Sequence, residues 1–123
     1  MREAGAFVIH AHPFDERGFV DHIKLLPRCI DAVEVINAPK SPFMNAMANF
    51  YADAYGLLKT AGSDNHKAER IKVCAGIQCA EPIESAADLK DKAISGKISI
   101  FKIEREDLNQ EFHDVPIEFQ KLP

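Results

Sequence analysis

The chain has 123 residues, 46% of them apolar and 28% charged, and its 15 basic and 19 acidic side chains leave a net charge of −4. This is the size and composition of one ordinary globular domain, able to bury about two thirds of its unfolded surface around a single core. The acidic balance argues against a nucleic-acid binder. No apolar run approaches a membrane span, and no signal peptide or lipidation motif is present, so a cytoplasmic location is expected.

The predicted elements alternate. Ala6–Ala11 is a near-continuous apolar run with β-branched Val8 and Ile9, the pattern of a strand covered on both faces, and Pro13 ends it. Residues 17–27 carry Phe19, Ile23 and Leu26 at helical spacing and stop at Pro27. Ala32–Ile36 is a second strand, ended by Asn37 and Pro39. Ser41-Pro42 is an N-cap followed by proline at the first helical position, with Phe43, Met47, Phe50 and Ala54 on one face of the helix and Gly56 placed to close it. Leu57–Ala61 is a third strand, and residues 72–79 can add another. Ser85-Ala86-Ala87-Asp88 reads as a capping box for a helix ended by Gly96, and Lys97–Ile103 is the last strand. The polar tail from Arg105 carries no clear pattern. Alternation of this kind predicts parallel strands joined by right-handed crossovers.

Cys29, Cys74 and Cys79 form neither a disulfide framework nor a zinc knuckle, and are expected to be reduced, mostly buried side chains.

Ligands of parallel α/β sheets bind at the carboxyl ends of the strands. His10, His12 and Asp15 follow the first strand, Glu34 and Asn37 the second, and Ser63, Asp64, Asn65 and His66 the third. His10 and His12 stand two apart in an extended segment, so they point the same way, and Asp64 and His66 repeat that spacing. Imidazole nitrogen and carboxylate oxygen suit zinc, manganese or iron, and such an ion can lower the pKa of its bound water to about 7. Each residue also has a plainer reading. His10 can be a hydrogen-bonded core histidine, Glu34 a salt-bridged structural residue, and Asp64-Asn65-His66 a turn with a capping aspartate. Lys67, Arg70 and Lys72 can bind phosphate by charge or form a solvated loop. His22 and His113 read as surface residues.

Several segments resemble one family. Gly5-Ala6-Phe7-Val8-Ile9-His10-Ala11-His12-Pro13-Phe14 is similar to a glycine-apolar-AHPF segment of the PHP-domain proteins, the polymerase and histidinol phosphatase family. Asp31–Asn37 resembles the family's DAVEVxN strand, Asn45 with its alanine-rich helix the next segment, Ala61–His66 the AGSDxH motif, and Ile83–Lys97 the closing helix. The resemblance covers about residues 1–103, and four segments recur in the family's order and separation.

The resemblance implies a distorted (β/α)7 barrel, mainly of parallel strands alternating with helices, with a metal centre of two or three divalent ions that hydrolyses phosphate esters. By position, His12, Asp64 and His66 match metal-ligand and catalytic residues. His10, standing where the family has an apolar residue, either adds a ligand or fills space. Glu34 and Asn37 fall near the site, and with Lys67 and Arg70 they would contact the substrate, a phosphorylated small molecule. The family's N-terminal H-x-H motif has no counterpart here. The expectation is therefore a partial barrel: residues 1–103 as the C-terminal half of a PHP-like domain, and residues 104–123 as an extension. A half barrel leaves sheet edges and an apolar face open, so a homodimer is expected. A metal-dependent phosphoesterase is the leading reading. A non-catalytic PHP-like scaffold or assembly module is the alternative, and an accessory domain of a nucleic-acid enzyme is disfavoured by the acidic balance.

Overall fold

The computed structural model describes residues 4–15 and 23–123. Among these residues the chain forms two three-stranded sheets and two α-helices. The first sheet contains β1 (Ile9–His10), β2 (Ala32–Asn37) and β3 (Leu58–Gly62), in that spatial order and all parallel. The second contains β4 (Val73–Cys79), β5 (Ile98–Glu104) and β6 (His113–Asp114), all antiparallel. Helix α1 (Pro42–Tyr55) joins β2 to β3, and α2 (Ala86–Ile94) joins β4 to β5. No helix among the described residues is long and apolar enough to cross a membrane.

Among the described residues the expected (β/α)7 barrel, even a partial one, is not present. The β-α-β reading holds for β2, α1 and β3 and fails for β4, α2 and β5. β4 and β5 pair antiparallel along their whole length, from Val73 opposite Glu104 to Cys79 opposite Ile98. A parallel crossover needs a helix that buries an apolar face on the sheet. Helix α2 buries only Ala93 and leaves Ile94 exposed, so it does not cover a sheet, and the chain returns beside β4 in the opposite direction.

β2 is the centre of the molecule. Ala32, Val33, Val35, Ile36 and Asn37 are buried, and Glu34 alone is partly open. The core gathers Ile30, Val33, Val35, Ile36, Ala48, Tyr51, Ala52 and Ala75, with Ile100, Ile117 and Phe119 packed at its margin. Residues of the polar tail thus reach the core, and β6 pairs with β5. Ser63, just past β3, joins the two sheets: its hydroxyl donates to the Ala75 carbonyl and accepts from the Ala75 amide, both at 2.9 Å.

Helix α1 starts and stops where the sequence says. The Ser41 hydroxyl accepts from the Met44 amide, Pro42 follows the cap, and Gly56 ends the helix at φ 62°. The buried face differs from the expected one. Ala46, Ala48, Tyr51 and Ala52 face inward, whereas Phe43, Phe50 and Ala54 are exposed. Alanines let the helix axis approach the large Val33 and Val35 side chains of β2, a separation that phenylalanines would not allow.

The first strand is shorter than expected: it pairs with β2 only at Ile9 and His10, and the chain turns at His12, where φ is positive. Of the helix expected over residues 17–27, residues 17–22 lie outside the described residues, as does His22. Residues 23–26 are not helical, and Pro27–Cys29 form a single 3-10 turn. The three cysteines are free, as expected, but none is buried: Cys29 is exposed, and Cys74 and Cys79 are half-buried.

Candidate functional site

The carboxyl end of the parallel sheet is shaped by three turns. The first is His12-Pro13-Phe14-Asp15, closed by the Asp15 amide on the His12 carbonyl at 3.1 Å. Pro13 supplies the fixed φ that the second position of such a turn favours. The second follows β2, where the Lys40 amide donates to the Asn37 carbonyl at 3.0 Å. The third follows β3, and the Ala38 amide binds the Gly62 carbonyl at 2.9 Å, tying the second and third turns together.

Two non-glycine residues among the described ones have positive φ, and they are His12 at 30° and Asp64 at 45°. Left-handed backbone costs about 1–2 kcal/mol for a residue with a Cβ, and such conformations collect at functional sites. Asp tolerates it better than most, and His is also enriched there.

His12 is held by the strand beside it. Glu34 Oε2 accepts from the His12 amide at 2.9 Å, lies 2.9 Å from His12 Nδ1, and accepts from Asn37 Nδ2 at 3.1 Å. Asn37 Nδ2 also lies 3.0 Å from His12 Nδ1. A carboxylate can only accept and an amide nitrogen can only donate, so the two make opposite demands on Nδ1: a proton on Nδ1 goes to Glu34 and leaves Nε2 its lone pair, whereas an unprotonated Nδ1 accepts from Asn37. A carboxylate behind Nδ1 is the usual arrangement for a histidine that offers Nε2 to a metal. Asn37 is 1% exposed and is itself clamped by Asn45 of α1, whose Oδ1 accepts from the Asn37 amide at 3.0 Å and whose Nδ2 donates to the Asn37 carbonyl at 3.3 Å. Glu34 Oε1 lies over Gly62, where any Cβ would collide with it. Glycine at 62 is thus what lets Glu34 reach His12.

Asp64 and its neighbours form the other part. The Lys40 ammonium sits 2.9 Å from Asp15 Oδ1 and 3.9 Å from Asp64 Oδ2. The His66 Nδ1–H donates to the Asp64 carbonyl at 2.9 Å, which leaves Nε2 free, and Nδ1 lies 3.7 Å from Asp64 Oδ1. The His66 side chain is 76% exposed. Lys67 and Arg70, the latter in a 3-10 turn, are also exposed. A narrow cavity between the first turn, β2 and α1 is lined by His12, Asp15, Glu34, Lys40, Met44 and Asn45, among others.

His10 stands apart from this cluster. Its ring meets Tyr51 edge-on at 6.4 Å between centroids, and its Nδ1 is buried without a partner. Burial, and then the neighbouring His12, hold the His10 pKa below the ordinary histidine value. His10 and His12 therefore have different partners, because the turn at 12 breaks the extended geometry that would have aligned them. Among the described residues, no three His, Cys, Asp or Glu side chains stand together as a finished ion cage. His113 is exposed in β6, as expected of a surface residue.

Lys40 and its pairing with Asp15 and Asp64 are what reading the sequence missed. The available signal was slight: Lys40 is the one basic residue between Arg28 and Lys59, three positions after a strand end.

Residues 42–98, just under half of the chain, match the family described as PHP-associated. The matched stretch includes α1, β3, Asp64, His66, β4 and α2, and it is consistent with the C-terminal part of a PHP-family protein. No curated protein and no solved structure matches the chain.

Proposed function

We propose that this chain, related through residues 42–98 to the PHP family, carries a divalent-cation site of a phosphoesterase at the carboxyl end of its parallel sheet. The observation that carries the reading is the coincidence of backbone strain and ligand position: His12 and Asp64 combine positive φ with strand-end placement, and Glu34 and Asn37 both contact His12 Nδ1, so the ring's other nitrogen faces away from them. The donor chemistry fits zinc, manganese or iron. His12 Nε2 and the Asp64 carboxylate would be ligands, His66 Nε2 a third, with water or phosphate oxygens filling the rest. A bound ion supplies Lewis acidity to a phosphoryl oxygen. The chain's own residues do the remainder. Glu34 and Asn37 orient the His12 ring, and exposed Lys67 and Arg70 draw a phosphorylated small molecule toward the third turn by charge. Phe43 and Phe50, exposed on α1, support self-association as a homodimer, which sedimentation velocity tests.

Elemental analysis after equilibration with manganese or zinc, together with turnover of an aryl phosphate, tests the reading. Bound metal and turnover, both lost in His12→Ala and reduced in His66→Ala, are expected. An ion-free and inactive chain rejects it. One observation favours a second reading, a non-catalytic assembly module: Lys40 already pairs with Asp15 and approaches Asp64, so these carboxylates have a cationic partner within the chain. In that case His12→Ala and Asp64→Ala leave self-association unchanged and no metal is bound.

A further inference from the structure

Helix α1 is apolar on two sides. One side packs on β2 through Ala48, Tyr51 and Ala52. A helix covering a sheet normally turns charged residues to water on its other side. α1 does not, for among its 14 residues only Asp53 carries a charge. Phe43, Met47, Phe50 and Ala54 form a second stripe, with Phe43 47% and Phe50 61% exposed, Ala54 exposed and Met47 half-buried. Steps of four, three and four residues, at about 100° each, keep these four positions within about 60° of one another around the helix axis.

That spacing reads the same in both directions. Turned end for end against a copy of itself, the stripe sets Phe43 level with the partner's Ala54 and Met47 level with the partner's Phe50. The bulkiest residue of the stripe then faces the smallest, as in interdigitated helix pairs. A parallel pairing would set phenylalanine on phenylalanine at two levels and alanine on alanine at another, crowding the first and leaving a void at the second. Charge gives the same answer. Asp53 stands in the last turn of α1, where the helix dipole disfavours a carboxylate, and the first turn has no acidic residue. Its carboxylate pairs with Lys59 at 2.7 Å and remains 60% exposed. An end-for-end partner brings a helix N-terminus beside Asp53 and opposes the two dipoles, whereas a parallel partner brings a second Asp53 and aligns them.

We propose that two copies of this chain pair through α1, antiparallel about a two-fold axis that passes the helix between residues 48 and 49. The inference rests on the self-association proposed above, whose surface and register it specifies, and it does not depend on the cation site. A patch that closes on itself about a two-fold axis is the commonest kind of homodimer contact. A helix of this length is about 21 Å long, too short to bury the ~800 Å² per partner of a standard interface, so the dimer is expected to dissociate in the micromolar range.

Sedimentation velocity of the full chain, at loadings up to millimolar, tests the pairing. The unaltered chain is expected to move from monomer to dimer as its concentration rises. Phe50→Asp, at an exposed position, should raise the dissociation constant by about tenfold or more, and circular dichroism establishes that each variant is folded. A pair of charge substitutions then reads the register. Phe43→Glu and Ala54→Lys should each weaken the dimer by about tenfold. Together they should restore about threefold or more relative to either alone, because the antiparallel register sets opposite charges level across the axis. Residues 43 and 54 lie three turns apart in one helix, so this recovery cannot arise within a single chain. A double variant that associates no better than the weaker single overturns the antiparallel register and leaves self-association standing. A dimer that Phe50→Asp does not weaken overturns α1 as its surface. A chain that stays monomeric at every loading, its α1 stripe left to some other partner, overturns self-association and the pairing with it.

Discussion

Replacing Glu34 by glutamine isolates the orientation of His12 from the integrity of the fold. The carboxylate accepts at one oxygen from the His12 amide, from His12 Nδ1 and from Asn37 Nδ2. Glutamine keeps an acceptor of the same shape but loses the charge. Hydrogen bonds to a charged group contribute about 1.5–3 kcal/mol against about 1 kcal/mol for neutral pairs, and they do not add fully, so Glu34→Gln should lower stability by about 1–2 kcal/mol. The effect on the ion is larger in proportion. Loss of an outer partner behind a ligating histidine weakens metal binding by about 10–100-fold, equivalent to about 1.4–2.7 kcal/mol. Glu34→Ala, by contrast, leaves the buried Asn37 amide without its acceptor and should cost about 3 kcal/mol of stability. Urea unfolding measures the stabilities, and calorimetric titration with Mn²⁺ measures the affinity. A folded Glu34→Gln protein that binds Mn²⁺ as tightly as the unaltered chain would refute the assignment of Glu34 as the residue that positions His12.

Asp64→Gly should be more stable than Asp64→Ala by about 1 kcal/mol, because glycine relieves the positive φ at this position, and both variants should lose Mn²⁺ binding. Gly62→Ala should destabilise by about 1–3 kcal/mol and weaken Mn²⁺ binding, since the new Cβ displaces the Glu34 carboxylate; normal affinity would contradict the close approach. Ser41→Ala should cost about 1 kcal/mol of stability by removing the cap of α1, with no effect on the ion. Burial lowers the His10 pKa in the folded chain, so the unfolded chain binds the extra proton first as pH falls. In chelator, stability should therefore be fully present above the unfolded value of 6.5 and decline below it, and His10→Phe should flatten that decline in urea melts across pH 5 to 7.

Much of the first half of the molecule is legible in the sequence because its signals are local. Ser41-Pro42 and Gly56 are chemical instructions to start and stop a helix, and β2 is apolar enough to have no other good placement. The direction of β4 and β5 was not legible. Alternating strands and helices read as parallel, and the low burial of α2 that overturns this is a tertiary fact. The buried face of α1 was misjudged for a related reason. Large apolar residues were taken to face the core, but close packing against valines favours alanine. At the site, strand-end position placed His12, Glu34, Asn37 and Asp64 at the same end of the parallel sheet, because sheet topology fixes where strand ends lie. The alignment of His10 with His12 assumed an extended backbone through residue 12, and the positive φ there removes it. Lys40 could not be read, because its significance lies in two carboxylates, at 15 and 64, that are distant along the chain.

The most direct test of a shared cation at His12 and Asp64 is a crystal structure of the Mn²⁺-equilibrated chain with anomalous data collected at the manganese edge. An anomalous peak with His12 Nε2 and an Asp64 carboxylate oxygen both at about 2.0–2.3 Å is expected. Absence of a peak at that end of the sheet, or a peak ligated by neither residue, would contradict it.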